Sequence, residues 1–332
     1  MMESTTSTLP KVVLSSVVRS SHQGESHGGV YLVDFATRDV EQVLDWDDPS
    51  ISWEGRGADR GLRGIAFHGD RVYLAASDEI FVYDTSFRMQ GSFRNAYLKH
   101  CHEIAVDGDR LLATSTGYDA ILQYDLVGEA FTAGHLIRYD AWNEWRRKMA
   151  QAGGPIRLFR PTPRLRSFDP MRPGGPAAAD TTHVNNVTTL DGAVLACGTK
   201  LARVVAVSGG RLSTYARVPF GSHNARPYRG GVLMNHTRSD RICYLSRSGE
   251  ILRTWPIVRY QADSLEHASL SSDQARQAFG RGLAVVDEDH FVGGSSPATV
   301  SLYAFDREEP VSTINLTRDV RNAVHGLEVW PF

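Results

Sequence analysis

The chain has 332 residues, 42% hydrophobic and 22% charged, with a formal net charge of −2. That balance can supply a large core and speaks against nucleic-acid binding, which needs a basic excess. The opening MMESTTSTLP lacks the basic stretch and apolar run of a signal peptide, no run of about 18 apolar residues could span a membrane, and Cys101, Cys197 and Cys243 form no CxxC pair, so a cytoplasmic protein is expected.

In chain order, three strand-like runs come first: KVVLSSVV at 11–18, GVYLVDFA at 29–36 and VEQVLDW at 40–46. A loop-like stretch, DDPSISWEGRGADRG at 47–61, leads into a degenerate repeat. Its lead residue is basic, imidazole or amide; a small or polar residue follows, then an alternating strand. The units are Arg63-Gly64-Ile65-Ala66-Phe67, His102-Glu103-Ile104-Ala105-Val106, Asn185-Asn186-Val187, His223-Asn224-Ala225, Arg281-Gly282-Leu283-Ala284-Val285 and His325-Gly326-Leu327-Glu328-Val329. Most are followed by a tight turn and a second apolar strand, as in RVYLAAS at 71–77, RLLATST at 110–116, AVLACGT at 193–199 and GVLMNHT at 231–237. Third strands such as EIFVYD at 79–84, AILQYD at 120–125 and TVSLYAFD at 299–306 come next, then a fourth.

Four short strands per unit with turn chemistry between them is the signature of propeller blades. The lead residues are 39, 83, 38, 58 and 44 positions apart, so two gaps hold insertions. The last unit has one strand, and the three N-terminal runs supply the rest, closing the ring without open edges. The count is six blades; a seventh requires a divergent blade inside the 138–180 insertion. That insertion instead opens on YDAWNEWRRKMAQAGG, read as a helix ended by Gly153-Gly154, and continues Pro-rich, which disfavours central strands. A second insertion, 259–279, carries SLSSDQARQAF, read as a short helix capped near Ser271 or Ser272.

In this register the leads Arg63, His102, Asn185, His223, Arg281 and His325 stand at one rim of the channel. Side chains two positions apart share a strand face, which places His100 and His183 one step outward. His236 ends a second strand there, and His22, His27 and His267 lie in loops over the same face. Nine of the twelve histidines are thus expected on one face, with His68, His135 and His290 elsewhere.

Converging neutral imidazoles suit Fe, Zn, Cu or Mn. The metal ligands expected are His102, His183 and His223, with His325 as a fourth. So little carboxylate leans the set towards Fe(II), with Cu, Mn or Zn as alternatives. Glu103 is expected to orient a ligating ring from behind. Arg63 and Arg281 would hold an anion, since guanidinium forks pair with carboxylate or phosphate; His100 or His236 would carry protons. In the lid, Arg146, Arg147, Arg157, Arg160, Arg164, Arg166 and Arg172 either add to that anion site or pair with Asp140, Glu144 and Asp169. Trp53, Tyr118, Trp142, Trp145 and Phe159 are either pocket wall or lid packing, and Tyr228 is expected inside the sheet sandwich. No GxSxG elbow, P-loop, GxGxxG or HExxH occurs.

Two functions follow. One is a metal-dependent enzyme, an oxygenase, lyase or isomerase, acting on an anionic small molecule. The other is a non-catalytic propeller that binds an acidic ligand or a protein partner. The segments RGIAFHGD, HCHEIAVDGD, HVNNVTTLDG, SHNARPYRGG and RGLAVVDEDH resemble a group of bacterial propellers, the domain-of-unknown-function 4915 type, across most of 60–330. Asn186 stands where that group's pattern has Gly. The resemblance implies the fold and carries no activity.

Overall fold

The second strands Arg71–Ala76, Arg110–Ser115, Ala193–Gly198 and Gly231–His236 are buried along nearly their whole length. Unbroken apolar strands of this kind need another sheet on each face. The computed structural model, which describes residues 9–21, 24–47, 61–152, 162–271 and 275–332, supplies those faces. Six antiparallel sheets form a six-bladed β-propeller. Six apolar clusters, one at each blade-to-blade interface, make the core among the described residues. Burial falls away towards the outer strands: Val40–Asp45 and Met89–Arg94 are mostly exposed.

Closure follows the expected scheme. Asn322–Val329 is the inner strand of the sheet made by Lys11–Val18, Gly29–Asp34 and Val40–Asp45, with Val12 opposite Val329 and Leu14 opposite Leu327. Six sheets account for the strands among the described residues, and none is a seventh blade within 138–180. Among its described residues are a helix, Ala141–Gln151, and a strand, Arg164–Phe168, that adds a fifth, outermost member to the His102 blade. The helix starts where Asp140 accepts the Asn143 N–H at 2.8 Å, an N-cap; Gly153 and Gly154 lie outside the described residues. In the second insertion the expected helix is not formed by the described residues: Ala262–Ser264 is a single 3₁₀ turn, and 275–279 is turn and coil. Ser272 lies outside the described residues, as do His22, Trp53, Arg157, Phe159 and Arg160.

The inner strands approach one another closely around the axis. A Cβ on Gly326 would stand 2.0 Å from the Arg63 carbonyl oxygen, and one on Gly64 would stand 2.7 Å from the Glu103 Cα. Glycine is therefore required at these positions for space. Gly326→Val should lower stability by about 1–3 kcal/mol, the usual range for overpacking. Gly91→Ala, where no atom lies within 4 Å of the added Cβ, should stay within about 0.5 kcal/mol; urea unfolding of both variants checks the contrast.

Candidate functional site

Five of the six repeats begin with a β-bulge. The Arg63 N–H donates to the Ala75 carbonyl at 2.7 Å while the Ala75 N–H donates to the Gly64 carbonyl at 2.9 Å, so two residues oppose one. Arg281 and Gly282 oppose Gly294 in the same way, at 3.0 Å for both bonds. Register shifts at Asn185, between His223 and Arg226, and opposite Ser15 mark the corresponding points in three other blades. A bulge re-aims side chains, and here it turns the lead residues onto the channel mouth. Arg63, Asn185, His223 and His325 are buried there, while His102 and Arg281 are partly exposed.

The imidazoles gather as the register implies. The His102 ring lies 5.7 Å from that of His183 and 5.4 Å from that of His325, centroid to centroid. His102 Nδ1 sits 2.7 Å from the His100 carbonyl oxygen and 2.9 Å from Thr116 Oγ1. The Thr116 hydroxyl donates to the Val184 carbonyl at 2.6 Å. Both neighbours therefore accept, so Nδ1 carries the proton and Nε2 keeps the lone pair. His223 Nδ1 lies 3.3 Å from the Gly221 carbonyl, and its buried Nε2 has no hydrogen-bond partner among the described residues. His183 Nδ1 lies 3.0 Å from both Asp180 carboxylate oxygens. His325 differs: its Nε2 faces Arg281 Nη1 at 3.4 Å, where a guanidinium can only donate.

The field here is positive. Burial, then the charges of Arg63, His325, Arg281 and His183, hold His102 well below the ordinary imidazole range. Burial and then Arg281 do the same to His223, and burial, Arg281, Arg63 and Arg19 to His325. These rings are accordingly neutral near pH 7. Asn185, 3% exposed, has neither its amide nitrogen nor its oxygen hydrogen-bonded among the described residues. A cavity of about 580 Å³ opens beside His102, walled by Arg63, Lys99, His100, Thr116 and His183 and by one carboxylate, Asp180, which His183 and Lys200 hold.

Asp119, fully buried, fixes His183 from behind. Its carboxylate accepts the backbone N–H groups of Thr181, Thr182 and His183 at 2.6, 3.0 and 2.9 Å. Deeper in the channel, Glu103 orients no imidazole. It accepts from Arg226 at 2.7 Å and Asn186 at 2.8 Å, with Asn224 at 3.3 Å, and Arg226 also holds Glu328 at 2.5 Å. The expected support of a ligating ring is corrected: the Glu103 side chain bonds residues of two other blades, and Arg226 links it to a third through Glu328. Arg226 escaped the sequence reading altogether.

Elsewhere three of the lid arginines take the local option. Arg147 pairs with Glu144, Arg164 with Asp140 and Arg172 with Asp169. Trp142 and Trp145 stack at 5.0 Å on the outer side of the helix, 63% and 45% exposed, so they wall no channel. Tyr228 is packed with Leu233, Trp255 and Phe291 as expected. His236 bonds the Ser239 hydroxyl at 2.8 Å, and His100 Nδ1 lies 3.4 Å from Ser77 Oγ. Among the described residues, the His, Cys, Asp and Glu trio whose ligand atoms all lie within 4.8 Å of one another is Glu266, His267 and Asp319, away from the expected quartet. The ring at the mouth is thus wider than a closed coordination sphere. The three cysteines are free and buried, and no helix among the described residues is long and apolar enough to cross a membrane.

No family model matches the chain, and no curated protein matches it by sequence. Solved structures do resemble it. A protein of unknown function from Bacteroides caccae superposes with a TM-score of 0.51 at 8% identity, covering 97% of this chain and 100% of that one. A streptogramin B lyase gives 0.40 at 12% identity, covering 75% and 70%. The WD40 propeller domain of Doa1 gives 0.41 at 13%, covering 77% and 68%. At these identities the likeness concerns the fold alone.

Two outcomes are expected. Arg226→Met strands the buried Glu103 and the partly exposed Glu328 and should cost about 3 kcal/mol, whereas replacing Arg226, Glu103 and Glu328 together by apolar residues should cost less; denaturant melts of both variants measure the difference. The three depressed imidazoles bind protons less readily folded than unfolded, so their contribution is complete above the ordinary value of 6.5 and is lost as pH falls below it. The melting temperature should drop from about pH 7.5 to about pH 5.5, and His325→Gln should flatten that slope.

Proposed function

We propose that this propeller binds an anionic small molecule at the channel mouth. One observation carries the reading. The six lead residues that the blades turn onto the axis are two arginines, three histidines and an asparagine, with no carboxylate among them. Their mutual influence runs in one direction, since each charge that chiefly acts on His102 pushes its proton off. A positive, partly enclosed mouth with buried polar atoms left to satisfy is complementary to an anion, and low-dielectric walls strengthen that attraction. The Glu103–Arg226–Glu328 network lies across the axis below, so a ligand would enter from the histidine face. Arg147, Arg164 and Arg172 of the lid are spent on local acids and add little.

A second reading, a metal-dependent oxygenase, lyase or isomerase, is favoured by a different observation. His102, His183 and His223 each point Nδ1 at an oxygen acceptor and leave Nε2 for another partner, which is how metal-binding imidazoles are oriented. A divalent transition metal, Fe(II) first and Cu, Mn or Zn after it, would there polarise a substrate oxygen or activate water. Arg63 and Arg281 would then hold the substrate's anionic group. The wide ring and the guanidinium on His325 make this the weaker reading of the two.

Calorimetric titration with phosphate, sulfate and citrate tests the first reading. At least one should bind, with affinity falling at higher salt. Arg63→Gln or Arg281→Gln should weaken binding by about tenfold or more, while Arg172→Gln, in the lid, should leave it unchanged. Elemental analysis tests the second: about one equivalent of transition metal, lost in His102→Ala and His223→Ala, would replace the anion reading with the enzyme.

A further inference from the structure

The tautomers at the mouth say more than its charge. His102 Nδ1 lies between two groups that accept, the His100 carbonyl at 2.7 Å and the Thr116 hydroxyl at 2.9 Å, whose own proton goes to Val184. In the neutral ring Nε2 is therefore an acceptor. His223 is fixed likewise: Nδ1 faces the Gly221 carbonyl at 3.3 Å, and Nε2 is buried without a partner among the described residues. Asn185, 3% exposed, holds an unspent donor and an unspent acceptor in the same ring of lead residues. A bare carboxylate or sulfate would serve the arginines alone. It accepts hydrogen bonds and donates none, so it would leave the lone pairs of His102 and His223 facing its own oxygens. A buried acceptor left without a donor costs about 1–3 kcal/mol.

We infer that the ligand is an acidic polyol, in which a carboxylate or phosphate meets Arg63 and Arg281 and neighbouring hydroxyl groups donate to Nε2 of His102 and His223. Asn185 both donates to and accepts from such a chain of hydroxyls, which neither a fatty acid carboxylate nor sulfate permits. The cavity of about 580 Å³ beside His102, lined also by Arg63, His183 and the Asp180 carboxylate, falls in the range of small-molecule sites and has room for the hydroxyl-bearing part of such an acid, with Asp180 a further acceptor for it; Arg281, His223 and Asn185 lie outside its lining. Thr116 belongs to the same recognition, because by accepting from His102 it locks the tautomer. A lone cation is the poorer occupant, since Arg281 stands 3.4 Å from His325 within the ring. The inference rests on the anion reading above and narrows it.

Matched probes separate the two. Gluconate is compared with hexanoate, and glucose 6-phosphate with hexyl phosphate, by calorimetry on the full chain. The polyol of at least one pair should bind about tenfold or more tightly than its alkyl counterpart, as expected where a site is built around hydroxyl donors. The pair that does so tells carboxylate from phosphate. His223→Phe keeps a ring of similar shape without the lone pair and should reduce that preference towards unity, as should His102→Phe if the first variant fails to fold. Equal binding of polyol and alkyl acid overturns this inference and leaves the anion reading standing. Binding of neither, or binding of Fe(II) or Zn(II) alone, overturns both.

Discussion

The inner strands come so close around the axis that a β-carbon is excluded where they cross. In three blades the second residue of the repeat is Gly64, Gly282 or Gly326, and added atoms there meet a neighbouring blade within 3 Å. In the other three the same position is Glu103, Asn186 or Asn224, and these fill the remaining space by bonding to one another and to Arg226. Steric closure on one half of the ring and polar closure on the other are therefore a single solution. A buried charge network costs desolvation, but Glu103 and Arg226 each bond residues of other blades, which fixes the blades' relative height.

That crowding sets up the site above it. A strand that must pass so near its neighbour bulges, and the bulge turns the residue before the tight contact onto the mouth. Position one of the repeat is thus free of packing duty, while position two is wholly bound by it. The consequence is chemical: Arg63, His102, Asn185, His223, Arg281 and His325 can be large and polar because their successors do the packing. Desolvation and mutual repulsion then keep the imidazoles uncharged beside the guanidinium groups.

Much of this was legible in the residues. The apolar second strands, the turn signals and the lead positions gave six blades, the shared sheet of the two ends and the histidine face, because strand period and repeat register depend on local sequence alone. What escaped has identifiable causes. Arg226 follows His223 across an irregular stretch that includes Asn224 at φ 50°, and counting by alternation fails through such a bulge. His100 and His183 also have positive φ, 55° and 54°, so their placement by parity with the following strand had no firm basis. Arg164–Phe168 reads as a Pro-flanked loop, yet the free edge of Ala130–Arg138 recruits it as an outer strand. Glu103 was assigned by its neighbour His102, whereas its partners lie 83, 121 and 123 positions away.

The pairing of Lys11–Val18 with Asn322–Val329 also governs how the molecule can be made. Ser15 and Gly326, which share a hydrogen bond of 2.9 Å, are 311 positions apart. At typical rates of synthesis this interval is on the order of tens of seconds. Throughout it the nascent chain carries an apolar strand whose partner does not yet exist, and the growing arc presents an uncovered blade face at each end. Such edges recruit other chains. Dilution on the ribosome, or a chaperone that shields the first sheet, therefore bears on yield independently of the stability of the finished ring.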